Sequence, residues 1–316
     1  MRTIVIYFSQ TGNTETIAYA IQRGVIEATG QCELAEIREI GPLELGEYDL
    51  IGLGSPVMGA EPGNVADFVK KMRFVGGKHI FLFYTHGTNE GIYWPSIYPK
   101  LKARGLVVIG KADWYGDCHL LHMPQPYPTR GHPDEIDIEQ AEHYGWEMAV
   151  RSMRISRGET DLIPEAPAEL PPPKPRTGDG KSIGELIGSF GALLKYEKDK
   201  CLYPQCTLCM DECPTSGNDL TVEPPVFGEP CLGCEFCVRI CPTGALDMSE
   251  WIEQMFEASK LHLPGMVPNL DKAEQEGRFR RYMPMEDVDF DTPGFRTHTG
   301  HPQWIIGKGP QRDKDK

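Results

Sequence analysis

Eight of the ten cysteines fall between residues 201 and 241, at the spacing of metal ligands rather than of a disulfide framework. Cys231, Cys234, Cys237 and Cys241, followed by Pro242, read C-x2-C-x2-C-x3-C-P. In this pattern three closely spaced thiolates hold three corners of a [4Fe–4S] cube, and the fourth cysteine reaches a second cluster. Cys201, Cys206, Cys209 and Cys213, followed by Pro214, read C-x4-C-x2-C-x3-C-P. The opening of that run also suits a [2Fe–2S] site, while its ending suits a [4Fe–4S] run. Zinc uses C-x2-C pairs too, but usually as two separated pairs rather than four packed cysteines with a proline after the last.

If the fourth cysteine of each run crosses over, one cluster takes Cys201, Cys206, Cys209 and Cys241. The other takes Cys231, Cys234, Cys237 and Cys213. A [2Fe–2S] reading of the first run would draw on the same Cys241, so ligand identity does not choose between them. The approximate repeat of "CTLCMDECPT" (206–215) in "CEFCVRICPT" (234–243) implies equivalent halves and favours two [4Fe–4S] clusters. The longer loop "LYPQ" (202–205) alters hydrogen bonding and exposure at the first cluster, both of which tune potential. Over about 196–248 the module resembles the two-cluster bacterial ferredoxins.

A second constellation lies at the start. The apolar run "TIVIYFS" (3–9) leads into Ser9, Gln10, Thr11, Gly12, Asn13 and Thr14, and then into a helical pattern. A loop from a strand to a helix N-terminus offers free N–H groups to an anion. Three hydroxyls add donors, and Gly12 allows close approach. The loop has no Lys or Arg, so it would hold a phosphate through neutral dipoles. It is neither a Walker A nor G-x-G-x-x-G, and it is also what an ordinary helix cap looks like.

Directly after a first strand, [ST]-x-T-G-x-T is similar to the FMN phosphate loop of flavodoxins. The following strands end in "GSPVMGAEPGN" (54–64) and "YTHGTNEG" (84–91), where that family has its two flavin-ring loops. The resemblance covers about 1–157. It implies ring contacts from Ser55, Pro56, Val57, Met58 and Gly59, and from Thr85, His86, Gly87, Thr88 and Asn89. Met58 stands where an aromatic residue often stacks, with Tyr93, Trp94, Trp114 and Tyr115 as alternative rings. His86 is expected as a loop contact with no assigned chemistry. Cys118, His119 and His122 in "DCHLLHMP" are a weaker metal candidate, lacking a second ligand pair. Cys32 is expected to be a strand residue.

Positioning these groups requires strands at 3–9, 32–37, 48–56, 79–85 and 106–116. Helices are expected at 14–30, 64–74, 97–105 and 136–156. The alternation implies a five-stranded, doubly wound parallel α/β sheet over 1–157, followed by a small α+β ferredoxin domain. The proline-dense stretch within 158–181 reads as a linker, 182–248 as the cysteine domain and 249–316 as an extended arm. The arm opens with a helix candidate, "MSEWIEQMFEASKLH". Its remaining large residues, Met266, Phe279, Tyr282, Met283, Phe290, Phe295, Trp304 and Ile305, show no helical or strand period.

The formal net charge of −14 over 316 residues argues against a nucleic-acid footprint and favours docking on basic partners. No run of about 18 apolar residues spans a membrane, and the start does not read as a secretory signal, so a cytoplasmic protein is expected. Joined, the two parts resemble the flavodoxin–ferredoxin fusion proteins of anaerobic bacteria and archaea. That implies an electron carrier with FMN and two [4Fe–4S] clusters, serving a redox enzyme or electron-donor protein and docking through 249–316. The alternatives are an FMN-dependent reductase of a small organic substrate, disfavoured by the lack of an acid/base pair, and an accessory assembly subunit of a larger complex.

Overall fold

The computed structural model describes residues 1–169, 194–227, 231–260 and 263–294. The expected linker from residue 170 on, the start of the cysteine domain up to 193, and Phe295, Trp304 and Ile305 of the arm lie outside the described residues. The chain divides into two compact units. One is Met1–Asp117 with Thr129–Leu170, and the other is Cys118–Pro128 with Pro171–Gly307, each through its described residues. The eleven residues 118–128 thus leave the first unit and belong to the second.

The first unit holds β1 (Thr3–Tyr7), α1 (Asn13–Thr29), β2 (Glu33–Glu36), β3 (Leu50–Pro56), α2 (Gly63–Lys71), β4 (His79–His86), α3 (Tyr93–Lys102), β5 (Val107–Tyr115) and α4 (Glu135–Ile155). The five strands form one parallel sheet in the order β2-β1-β3-β4-β5. This confirms the expected doubly wound α/β class. All five residues of β1 are buried, as a parallel strand covered on both faces requires. On one face Phe81 meets Tyr144 of α4 edge-on at 5.7 Å, and Trp114 meets the same ring at 5.8 Å. α4 starts on a capping box: Asp134 accepts from the Asp137 N–H (2.8 Å), and Asp137 accepts from the Asp134 N–H (2.9 Å). α3 begins at Tyr93, four residues before the expected start. Pro95 is tolerated there because the first turn of a helix has no intrahelical use for its N–H groups.

The second unit contains short strands β6 (Lys195–Tyr196), β7 (Asn218–Asp219), β8 (Val226–Phe227) and β9 (Leu246–Asp247). Its helices are α5 (Leu208–Asp211), α6 (Phe236–Ile240), α7 (Ser249–Lys260) and α8 (Leu263–Gln275). β6 pairs with β9 and β7 with β8, both antiparallel. α7 is the helix expected at the start of the arm. α8 is a difference from the sequence reading, which saw no further period. Leu270 and Ala273 are buried on one side of it. Pro264, Gly265 and Pro268 mask that spacing in the sequence. Phe279, Met283 and Val288 beyond it are buried as well, so this part of the arm is folded rather than extended.

Candidate functional site

At the carboxyl end of β1 the chain turns into α1 through Gly12, whose φ of 92° is the left-handed conformation that suits glycine. The Gly12 carbonyl then accepts from the Thr16 N–H (2.8 Å) and hydroxyl (2.9 Å), so α1 starts sharply. Ser9, Gln10, Thr11 and Asn13 line this turn, half-buried. The Asn13 amide donates to the Asp117 carbonyl at 2.7 Å. Thr14 is buried, and its hydroxyl pairs with that of Thr85 on β4 at 2.8 Å. Each hydroxyl keeps further hydrogen-bonding capacity.

The two expected ring loops are brought together with this turn. The Val57 N–H donates to the Thr85 carbonyl (2.8 Å), and the Ile92 N–H donates to the Gly59 carbonyl (2.9 Å). The loops run so close that a Cβ on Gly91 would lie 2.3 Å from the Gly59 oxygen. Pro56 ends β3, Met58 is half-buried, and Gly87, Thr88 and Asn89 follow β4. The Ser55 hydroxyl is bonded to the Tyr93 hydroxyl at 2.8 Å inside the protein. Tyr93 stacks on Tyr84 at 4.3 Å, and Trp114 is packed against Tyr144, so both rings serve the core. Tyr115 lies edge-on to His86 at 4.7 Å, and Trp94 pairs with Tyr98 at 4.8 Å.

His86, at the end of β4, is buried, with Nε2 3.0 Å from an Asp113 carboxylate oxygen. Its Nδ1 is buried with no hydrogen-bond partner among the described residues. The same is true of Gln10 Nε2 and of both amide atoms of Asn64. Buried polar groups are normally satisfied, and these orphans sit on the first loop (Gln10), at the end of β4 (His86) and in the first turn of α2 (Asn64), each next to a loop at the strands' carboxyl ends. That pattern fits a polar ligand such as FMN held by the three loops. Asn64 was missed in sequence because it reads as a routine first-turn residue of α2. A neighbouring network on β4 and β5 was also missed: Tyr84 donates to Glu90, and Lys111 donates to Glu90 (2.9 Å) and Tyr84 (3.2 Å). Burial, aided by Glu90, raises the Tyr84 phenol well above its ordinary value.

In the second unit the eight cysteines sort into two cavities. Cys201, Cys206, Cys209 and Cys241 line one of about 370 Å³, counting its open mouth. Cys213, Cys231, Cys234 and Cys237 line another of about 540 Å³, which Cys209 also borders. Each cavity therefore contains the fourth cysteine of the opposite run. Burial, then the neighbouring Cys241, pushes the Cys209 thiol up to about 11, and burial with Cys234 pushes Cys237 up to about 12. Burial acts the same way on Cys241, but hydrogen bonds from Thr243, Ala245 and Leu246 outweigh it and hold that thiol below its ordinary value. Cys32, expected on a strand, lies just before β2, and burial pushes its thiol up to about 12.

The repeat is visible atom by atom. Cys213 Sγ accepts from the Gly217 N–H, and Cys241 Sγ accepts from the Ala245 N–H, both at 3.2 Å. Cys201 Sγ accepts from Tyr203 N–H at 3.4 Å, and Cys231 Sγ from Gly233 N–H at 3.3 Å. Among the described residues, the His, Cys, Asp and Glu side chains whose ligand atoms gather three at a time within 4.8 Å are His132, Asp134 and Asp137 at the cap of α4; the cysteines form no such trio. At the weaker candidate around Cys118, His122 Nδ1 lies 2.6 Å from the Glu235 carboxylate.

A family model described as "Flavodoxin domain" matches residues 4–102. A flavodoxin of Megasphaera elsdenii is 30% identical over 114 residues, 34% of this chain and 82% of its own length. A ferredoxin of Methanothermococcus thermolithotrophicus is 33% identical over 54 residues, 16% of this chain and 90% of its own length. Among solved structures, that of two-electron reduced M. elsdenii flavodoxin aligns with a TM-score of 0.38 at 24% identity, over 47% of this chain and 98% of that one. With the parallel sheet and its three loops in place, and a relative matched across most of its length, the chain belongs to the flavodoxin family.

Proposed function

We propose that this chain is an electron-transfer protein that passes low-potential electrons between FMN in its first unit and two [4Fe–4S] clusters in its second, to or from a partner redox enzyme. FMN supplies one- or two-electron exchange when bound, and each cluster exchanges one electron. The observation that carries the reading is the sorting of the cysteines into two crossed sets, each lining one cavity, with Cys209 also bordering the other. Zinc fits less well. Its Zn–S bonds of about 2.3 Å bring tetrahedral thiolates to about 3.8 Å from one another. No three of these sulfurs gather within 4.8 Å among the described residues, a spread that suits a polynuclear group.

Toward FMN, the turn at Ser9–Thr14 supplies N–H and hydroxyl donors for the phosphate. The loops at Ser55–Gly59 and Thr85–Asn89 shape the ring site, with Asn64 and His86 adding polar groups. Met58 offers a polarisable thioether to an aromatic system. Hydrogen bonds between Val57 and Thr85 and between Ile92 and Gly59 preorganise the loops. In this reading the FMN domain is 1–157, the cluster domain 182–248 and the docking region 249–316, in a reducing cytoplasm where thiolates persist. The charge of −14 suits a basic docking face on the partner.

The test is anaerobic purification followed by flavin, iron and sulfide assay and stepwise reduction followed by absorbance and EPR. About one FMN and about eight iron per chain are expected for two cubes. About six iron with a [2Fe–2S] signal overturns the assignment of the first run. Absence of flavin overturns the electron-transfer reading of the first unit.

A further inference from the structure

The second cysteine run carries a residue that no ligand requirement explains. Glu235 lies between Cys234 and Cys237, is 3% exposed, and has φ of 56°, an uncommon conformation for a side chain of its size. Glu235 lines the cavity with the cysteines, and its carboxylate is bonded to residues 118–128. One oxygen accepts from the Leu121 N–H at 2.6 Å and, at longer range, from the His122 N–H at 3.4 Å. The other lies 2.6 Å from His122 Nδ1.

The rest of 118–128 is fastened to the same unit. Arg239 donates to the His119 carbonyl at 3.2 Å. Leu121 packs with Met248 and Ile252. Met123 accepts from the Gly294 N–H at 2.9 Å.

The internal repeat shows what is particular here. Glu235 corresponds to Thr207, and Arg239 to Asp211. In the first half these two residues bond each other: the Thr207 hydroxyl donates to Asp211 at 2.6 Å, closing α5 on itself. In the second half the corresponding pair turns outward, and both members hold 118–128.

We propose that Glu235 is a positioning residue, a latch that fastens 118–128 behind Glu235 and Met248, two of the residues lining the cavity of Cys213, Cys231, Cys234 and Cys237, and so keeps water from the cluster held there. The proposal rests on the two-cluster reading above. Reduction adds negative charge to a cluster, so excluding water from it disfavours reduction. Releasing the latch therefore raises the potential of that cluster and not of its twin.

The test uses the full chain, purified anaerobically, as wild type, Glu235→Thr and His122→Ala. Glu235→Thr writes the first half's residue into the second. His122→Ala lies outside both cysteine runs and keeps the two backbone donors, so it serves if the first variant does not fold. Amide exchange over 118–128 is read by mass spectrometry, and the two cluster midpoints by EPR titration. In Glu235→Thr, exchange at residues 121–122 should quicken at least about tenfold. One midpoint should rise by about 59 mV, a tenfold change in its reduction equilibrium, with the other unmoved. His122→Ala should show a smaller change of the same kind. Unchanged exchange in both variants, or equal movement of both midpoints, overturns the proposal. Wild-type protein without iron would mean that the two-cluster reading has failed; the potential claim falls with it, and exchange alone decides the latch.

Discussion

The two halves of the cysteine unit use the same atoms at the sulfurs and different atoms one shell out. Gly217 and Ala245 donate to Cys213 and Cys241 at the same distance, and Tyr203 and Gly233 play the same part toward Cys201 and Cys231. Yet the first half exposes Leu202 and Tyr203 on its longer loop, while the second buries Glu235 under another segment of chain. In the proposed reading, holding a cluster would fix the inner hydrogen bonds, because unpaired thiolates are costly to bury. The outer shell is free to diverge, and there exposure and charge set the potential. In the proposed two-cluster reading, clusters with equivalent ligands are expected to differ in potential.

The largest effect expected from breaking this symmetry comes from the crossing itself. Cys241→Ser should remove the cluster of the first run, although Cys241 stands in the second. About four of about eight iron should be lost. The remaining EPR signal should match that of Cys206→Ser and differ from that of Cys234→Ser. If Cys241→Ser instead matches Cys234→Ser, each run holds its own cluster and the crossed sets are wrong.

Next in size is an exchange of the outer shell. Replacing "LYPQ" (202–205) with the "LG" of the second run keeps the donor two residues after the cysteine and removes exposed loop. Less water should reach the first cluster, so its midpoint should fall, by about 59 mV at most, with the second unmoved. A rise would show that hydrogen bonding by the loop outweighs exposure. Smaller again is Arg239→Asp, which removes one donor to the His119 carbonyl where Glu235→Thr removes acceptors for three. Amide exchange near His119 should quicken while that at Leu121 stays slow. Equal loosening at both positions would mean that the segment is held as a single block.

Sequence carried the parts of this molecule that depend on local pattern. The buried run Ile4–Phe8, the alternation behind the parallel sheet and the cysteine spacing are properties of neighbouring residues. What it withheld depends on distance along the chain or on burial. Glu235 and Leu121 are 114 positions apart, and nothing in "CEFC" announces that the glutamate bonds that segment. The sequence offers Tyr93 and Trp114 as flavin rings, and their packing on Tyr84 and Tyr144 places them in the core instead. α8 was hidden by its prolines, and Asn64 by resembling an ordinary helix start.

The smallest expected effect sharpens the comparison where the halves are most alike. Asp219 accepts from the Thr221 N–H (2.8 Å) and hydroxyl (2.6 Å), and Asp247 accepts from the Ser249 N–H (2.8 Å) and hydroxyl (2.6 Å). In each case the hydroxyl, then the backbone, holds the carboxyl below its ordinary value. Burial opposes this in both, and Lys195 adds to it at Asp247. A depressed folded value means the folded state binds the proton more weakly. The stabilisation is therefore full above the unfolded value of roughly 3.9 and is lost as pH falls through the folded value beneath it. Ser249→Ala should lower the temperature of cluster loss by roughly a few degrees. Thr221→Ala should lower it less, since Asp219 is the more open to solvent and screening weakens what an exposed carboxylate contributes. Both differences should stay constant from about pH 8 to about pH 5, because each carboxyl is charged throughout that range. A difference that fades within it would show that these turns do not hold their carboxyls low, and equal effects at the two turns would show that the halves are alike in their energetics as well as in their geometry.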